Sequence, residues 1–98
     1  MSRYSVRFGD EAADEVRAAA RWYRLADPEL EFMFRSALRD CVRAVKSNPA
    51  AFPLVLDRTR RALMRTFPYG VYYTIIGQTI VVTAVYHSKR DPRGLEDR

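Results

Sequence analysis

Hydrophobic and polar residues alternate over residues 4–8 (YSVRF). Tyr4, Val6 and Phe8 fall on one side and Ser5 and Arg7 on the other, the pattern of a half-buried strand. Gly9-Asp10 interrupts it, and Asp10 is a good N-cap for a helix beginning at Glu11. Ala12, Val16, Ala19 and Tyr23 then recur at helical spacing with Trp22 beside the stripe, and Pro28 stops this helix near Ala26. Asp27-Pro28 reads as the next start, with Asp27 as N-cap, Pro28 in the first turn and Glu29 and Glu31 near the positive end of the helix dipole. Leu30, Phe34, Leu38, Cys41 and Val45 form one stripe down this second helix, which stops near Asn48-Pro49, while Arg35, Arg39 and Arg43 face solvent. Two amphipathic helices with so short a connection predict an antiparallel hairpin.

After a Pro-containing loop (NPAAFPLVLD), residues 60–67, 70–76 and 79–86 are rich in β-branched and aromatic side chains and predict three strands. Ile76-Gly77-Gln78-Thr79 has glycine where a two-residue type II′ hairpin wants it. The fold class is therefore α+β, β-α-α-β-β-β, a twisted antiparallel sheet with a helical hairpin on one face. Leu30, Phe34, Leu38, Val45, Val71, Ile75, Val82 and Val85 are the core candidates; which sheet face the hairpin covers is left open. In the last strand Ile80, Val82, Ala84 and Tyr86 alternate with Val81, Thr83 and Val85, so both faces are apolar. One hairpin covers one face, and the other needs the tail from His87 to Arg98, a second copy or a partner chain.

Composition narrows the function classes. Ninety-eight residues make one domain, 1–98. One cysteine, Cys41, and one histidine, His87, exclude an internal disulfide and an ordinary zinc site, so no metal or cofactor is expected. No apolar run approaches the roughly 18 residues of a membrane span, and the charged N-terminus lacks the apolar stretch of a signal peptide, which predicts a cytoplasmic protein without membrane contact. Residues 1–57 hold nine Lys/Arg against nine Asp/Glu, whereas residues 58–98 hold eight against three. That segregation points to an acidic or polyanionic partner, unless the arginines merely solvate the surface.

Arginines lie beside stackable rings around the sheet: Arg58, Arg60, Arg61, Arg65, Tyr69, Tyr72, Tyr73, Tyr86, His87, Lys89, Arg90 and Arg93. Such a set suits single-stranded RNA, and RNA cleavage would use His87 as a proton carrier with arginines on the scissile phosphate. The plainer reading makes the tyrosines packing residues and His87 a structural one. Cys41 belongs to the apolar stripe and reads as core.

The helix with Trp22-Tyr23, the helix with Phe34 closing on Asn48-Pro49, Phe52-Pro53, the basic strand from Arg60-Arg61 to Arg65, Phe67-Pro68-Tyr69, Val71-Tyr72-Tyr73 and His87-Ser88-Lys89-Arg90-Asp91-Pro92 follow one another in this order. Over roughly residues 4 to 98 this succession resembles the RelE/ParE superfamily of type II toxin–antitoxin toxins, in particular its ParE-like plasmid-stabilisation branch. The resemblance implies a growth-inhibiting toxin neutralised by a cognate antitoxin in a heteromeric complex. It implies inhibition of DNA gyrase, or alternatively a RelE-like, metal-independent, ribosome-dependent cleavage of mRNA, or a degenerate toxin that only binds antitoxin. Against the RelE-type site, Arg61 and Arg90 stand at two expected positions, Leu63 replaces a lysine, Gly70 replaces an arginine, and Glu96 lies near the place of the tail tyrosine. Candidates for a nuclease are Arg61, Arg65, His87 and Arg90; for a target or nucleic-acid surface, Arg58, Arg60, Tyr69, Lys89 and Arg93; for antitoxin binding, Val81, Val85, Tyr86 and Arg65. The missing cations favour non-catalytic inhibition, since a metal-free ribonuclease must neutralise the developing phosphate charge with side chains alone.

Overall fold

A computed structural model of the chain describes residues 3–98. Strand β1 (Ser5–Phe8) leads into helix α1 (Asp10–Ala26), and helix α2 (Pro28–Ser47) follows. The start of α1 lies one residue earlier than its sequence suggests. Gly9 is the N-cap, without a side-chain bond, and Asp10 stands inside the first turn with Glu11, facing the positive end of the dipole. The start of α2 is as expected: the Asp27 carboxylate accepts the Glu29 N–H at 2.9 Å and Pro28 opens the helix.

A short 3₁₀ turn (Pro49–Ala51) then precedes strands β2 (Leu54–Leu56), β3 (Thr59–Leu63), β4 (Tyr69–Ile76) and β5 (Thr79–His87), and a second 3₁₀ turn spans Pro92–Leu95. In place of one strand over 60–67, the chain forms the β2–β3 hairpin and then bends. Asp57 sits in that hairpin turn at φ 50, a left-handed conformation that aspartate tolerates, and Thr66 in the bend sits at φ 72. Leu54-Val55-Leu56 is too short and too uniformly apolar to show alternation, so its pattern reads as loop. The sheet order is β1-β5-β4-β3-β2. Strands β2 to β5 are antiparallel, while β1 joins β5 in parallel and makes the sheet mixed. The alternation within a strand tells which face it buries and nothing about its neighbour's direction.

Both helices cover one face. Ala12, Val16 and Ala20 of α1 and Phe34, Leu38 and Val45 of α2 meet Val71, Tyr73, Ile80, Val82 and Val85 of the sheet. Leu30 and Ile75 are only partly buried. Strand β5 departs from simple alternation: Tyr73 opposes Val82 but Tyr72 opposes Ala84, leaving Thr83 as the extra residue of a bulge. The bulge splits the expected set, so Ile80 and Val82 face the helices while Ala84 and Tyr86 face away. On the away face Tyr72, Ala84 and Tyr86 pack against Leu95, with Val55 and Leu56 beside them. Of the three possible covers, the C-terminal segment is the one the structure supplies. No helix among the described residues is long and apolar enough to cross a membrane.

Candidate functional site

A groove of about 510 Å³ lies between α2 and β3, lined by Phe32, Met33, Cys41, Phe52, Leu63 and Arg65 among others. Phe32 is 67% exposed and Leu63 57%. Past Arg61, whose N–H donates to the Pro53 carbonyl at 3.1 Å, β3 keeps β4 on one side and has no strand paired to its β2-side edge, so that edge opens onto the groove. Cys41 forms the floor. Its thiol lies 3.7 Å from the Ala62 carbonyl as a weak donor, and burial pushes it up to about 11, so it stays protonated and inert near neutral pH. Sequence reasoning passed over Phe32 and Met33; the signal was their position off the Leu30–Phe34–Leu38 stripe.

Phe67-Pro68-Tyr69 is a bolt rather than a reactive motif. The Phe67 ring lies 4.9 Å from Tyr23 and 5.5 Å from Phe34, and Tyr69 lies 5.4 Å from Phe34. Tyr69 is thus partly buried in an aromatic cluster, and it also lines a shallow surface pocket with Trp22, His87 and Arg90. Arg60 is similarly engaged: its guanidinium donates to the carbonyls of Ala50 (3.1 Å) and Phe52 (2.6 Å), tying the loop before β2 to β3. Tyr73 is core, its hydroxyl donating to the Pro49 carbonyl at 2.6 Å. Val85 and Tyr86, expected on the antitoxin face, are buried within the domain, Val85 under the helices and Tyr86 under the C-terminal segment; Val81 is half-buried.

Of the remaining candidates, His87 and Arg90 line one shallow pocket of about 330 Å³ with Tyr69 and Trp22, and the others lie apart from it. Arg58 is exposed in the β2–β3 turn and Arg65 borders the groove. Arg93 pairs with Asp91 at 2.6 Å, and its hydrogen bond holds that carboxyl below the ordinary range. His87 opposes Tyr69 on the helix side of the sheet, and its Nδ1 accepts the Lys89 N–H at 3.2 Å. Arg61 opposes Tyr72 on the far side. Arg90 stacks on the Tyr86 ring, 4.3 Å from its centre, with Glu15 3.9 Å away. Gly70, which the sequence presents as a lost cation, has a packing reason: a Cβ there would come within 3.1 Å of Cγ and 3.2 Å of Cδ of Arg61. Among the described residues, no three His, Cys, Asp or Glu side chains gather so as to hold a metal ion.

Residues 6–92 match the family model described as ParE toxin of type II toxin-antitoxin system, parDE. Among solved structures, a chain of the "Chromosomal ParDE TA system from P. aeruginosa" superposes with a TM-score of 0.76 at 15% identity, covering 87% of this chain and 96% of the other. A comparison with curated proteins gives no match. The helical hairpin, the sheet and the family match over most of the chain agree, and a type II system implies a cognate antitoxin as partner. This chain belongs to the ParE toxin family of type II toxin–antitoxin systems.

Proposed function

We propose that this toxin acts in the cytoplasm by binding DNA gyrase without catalysing a reaction, and that its antitoxin neutralises it by laying an acidic, amphipathic segment into the groove between α2 and β3. The observation that supports the first part is the separation of the would-be catalytic groups. His87 stands on the helix side of the sheet and Arg61 on the opposite side, so these two do not share a reaction centre, and Arg90, which lines the same pocket as His87, is stacked on Tyr86 and lies 3.9 Å from Glu15. The groove supports the second part: it offers exposed Phe32, Met33 and Leu63, a free strand edge and the cation of Arg65. Apolar anchors flanked by a cation suit an acidic helix or strand, whose carboxylates also hasten association.

The test compares gyrase supercoiling with mRNA cleavage on translating ribosomes, for the wild type, His87→Ala and Arg90→Ala. Inhibited supercoiling that survives His87→Ala is the expected result. Ribosome-dependent cleavage abolished by His87→Ala would overturn it, and a chain inactive in both assays that still binds antitoxin would mark a degenerate toxin. For the groove, Phe32→Asp should weaken antitoxin binding by at least about tenfold while leaving supercoiling inhibition in place.

A further inference from the structure

Helix α1 buries Ala12, Val16, Ala19 and Ala20 and turns its other side to solvent. Projected at about 100° per residue, the solvent side centres on Ala18, with Glu11, Asp14, Arg21, Trp22 and Leu25 around it. All six are exposed, Trp22 by 71% and Leu25 by 74%. The solvent side of α2 is made differently. There Arg35 pairs with Glu31 and Arg43 with Asp40 within the helix, and the exposed Phe32 and Met33 border the groove. No residue of α1 lines that groove, so it gives Trp22 and Leu25 no use. An indole is a large apolar surface to leave in water, and such a patch marks a contact surface.

The charges on α1 are split end from end. Asp10, Glu11, Asp14 and Glu15 occupy its first half, and Arg17, Arg21 and Arg24 its second. Such a helix is complementary to itself when reversed, because an antiparallel copy sets each acidic half against a basic half. Ala18 stands at the midpoint of Asp10–Ala26, where a small side chain lets two helices approach closely. Arg21 has no ion pair among the described residues, and Asp14 is held only by Arg17 within the same helix, both side chains largely exposed. Beside Ala18, Glu15, Ala19 and Trp22 form part of the shallow pocket that Tyr69, His87 and Arg90 complete.

We propose that two copies of this chain associate through the solvent face of α1, as an antiparallel α1–α1 pair crossing at Ala18. The contact is isologous, the same patch serving on both copies. Counting outward from Ala18, Trp22 of one copy stands level with Asp14 of the other, and Arg21 with Glu15. The symmetry axis lies in the plane of the contact, so both indoles fall on the side of the shallow pocket. Both Arg21–Asp14 pairs then fall on the opposite side. One helix pair about 25 Å long, with two indoles burying about 150–250 Å² each, lies at the low end of specific interfaces. The dimer is therefore weak and reversible. Both copies keep the groove between α2 and β3 open, and the pairing holds whatever the cellular target is.

The experiment is sedimentation velocity of the purified chain over a concentration series, read beside the emission of Trp22, the one tryptophan in the sequence. A monomer–dimer equilibrium in the micromolar range is expected, with Trp22 emission moving to the blue as the dimer forms. Trp22→Ala should weaken association by about tenfold or more. Arg21→Glu or Asp14→Arg alone should weaken it severalfold, and the two together should restore it, since the exchange rebuilds both ion pairs. Ala18→Cys should cross-link two chains under mild oxidation, whereas Arg43→Cys on α2 should not; the native Cys41 is buried. All these positions are exposed, and thermal melts should show each variant folded. A chain monomeric at every concentration, unchanged association in Trp22→Ala, or a double exchange that restores nothing would overturn the pairing. A monomeric chain that loses growth arrest with Trp22→Ala would overturn it too, and would give this face to the target instead.

Discussion

The two faces of the sheet are stabilised in different ways. Toward the helices, apolar side chains interlock and the deeply buried Tyr73 hydroxyl has a partner, donating to the Pro49 carbonyl at 2.6 Å. Toward the C-terminal segment, two tyrosine hydroxyls and a guanidinium nitrogen lack partners among the described residues, and the cover is held by Arg98 on Glu15 and Glu11. Both faces are dry and both use tyrosine, so burial alone does not separate them. Polar satisfaction does: a buried donor without an acceptor costs about 1–3 kcal/mol. The helix side satisfies its buried hydroxyl, and the far side is packed but leaves three polar atoms unsatisfied.

That contrast can be broken in order of effect. Phe34→Ala should be the most damaging, because Phe34 is fully buried against Tyr23, Phe67 and Tyr69; a loss of about 3–5 kcal/mol is expected in denaturant unfolding. Next, paired Tyr→Phe changes should separate the faces by sign. Tyr73→Phe strands the Pro49 carbonyl and should cost about 1–3 kcal/mol, whereas Tyr72→Phe removes an unpartnered hydroxyl and should be neutral or slightly stabilising. The pH dependence sharpens the same pair. Burial pushes the Tyr73 hydroxyl from its ordinary 10.0 up to about 12, so the folded chain holds that proton more tightly than the unfolded chain. Its contribution is fully present below pH 10.0 and lost as pH rises toward about 12, and Tyr73→Phe should flatten this alkaline loss in melts at stepped pH. The smallest effect belongs to the Arg98 ion pairs. Arg98→Met should cost about 1 kcal/mol at low salt and less at high salt, since ion pairs at a partly solvated edge are screened. Equal salt sensitivity of Phe34→Ala and Arg98→Met would erase the distinction between the two faces.

Much of the architecture is legible in the residues. The stripe Phe34–Leu38–Cys41–Val45 requires a helix with one dry side, Asp27-Pro28 requires a start, and Gly77 at φ 61 supplies the left-handed residue of the last hairpin. These are local demands, met within a few residues of where they are written. The site was less legible because it depends on which distant side chains meet. Tyr69, Arg60 and Val85 look the same in sequence whether they line a surface or pack inside, and the fold places all three in structural roles. Gly70 reads as an absent cation until the Arg61 stem is seen lying against it.

The sequence by itself determined the helical hairpin, the strand-rich second half, the excess of positive charge after residue 57 and the kinship with ParE toxins, because periodicity, caps, charge and motif order are properties of neighbours along the chain. Only the tertiary structure decided the parallel seat of β1, the bulge at Thr83 that turns Ala84 and Tyr86 away from the helices, and the cover that Leu95 and Arg98 place over them. Each of these is a pairing between residues far apart in sequence. Such pairings are chosen by the free energy of the whole packed domain, to which no single stretch of chain holds the key.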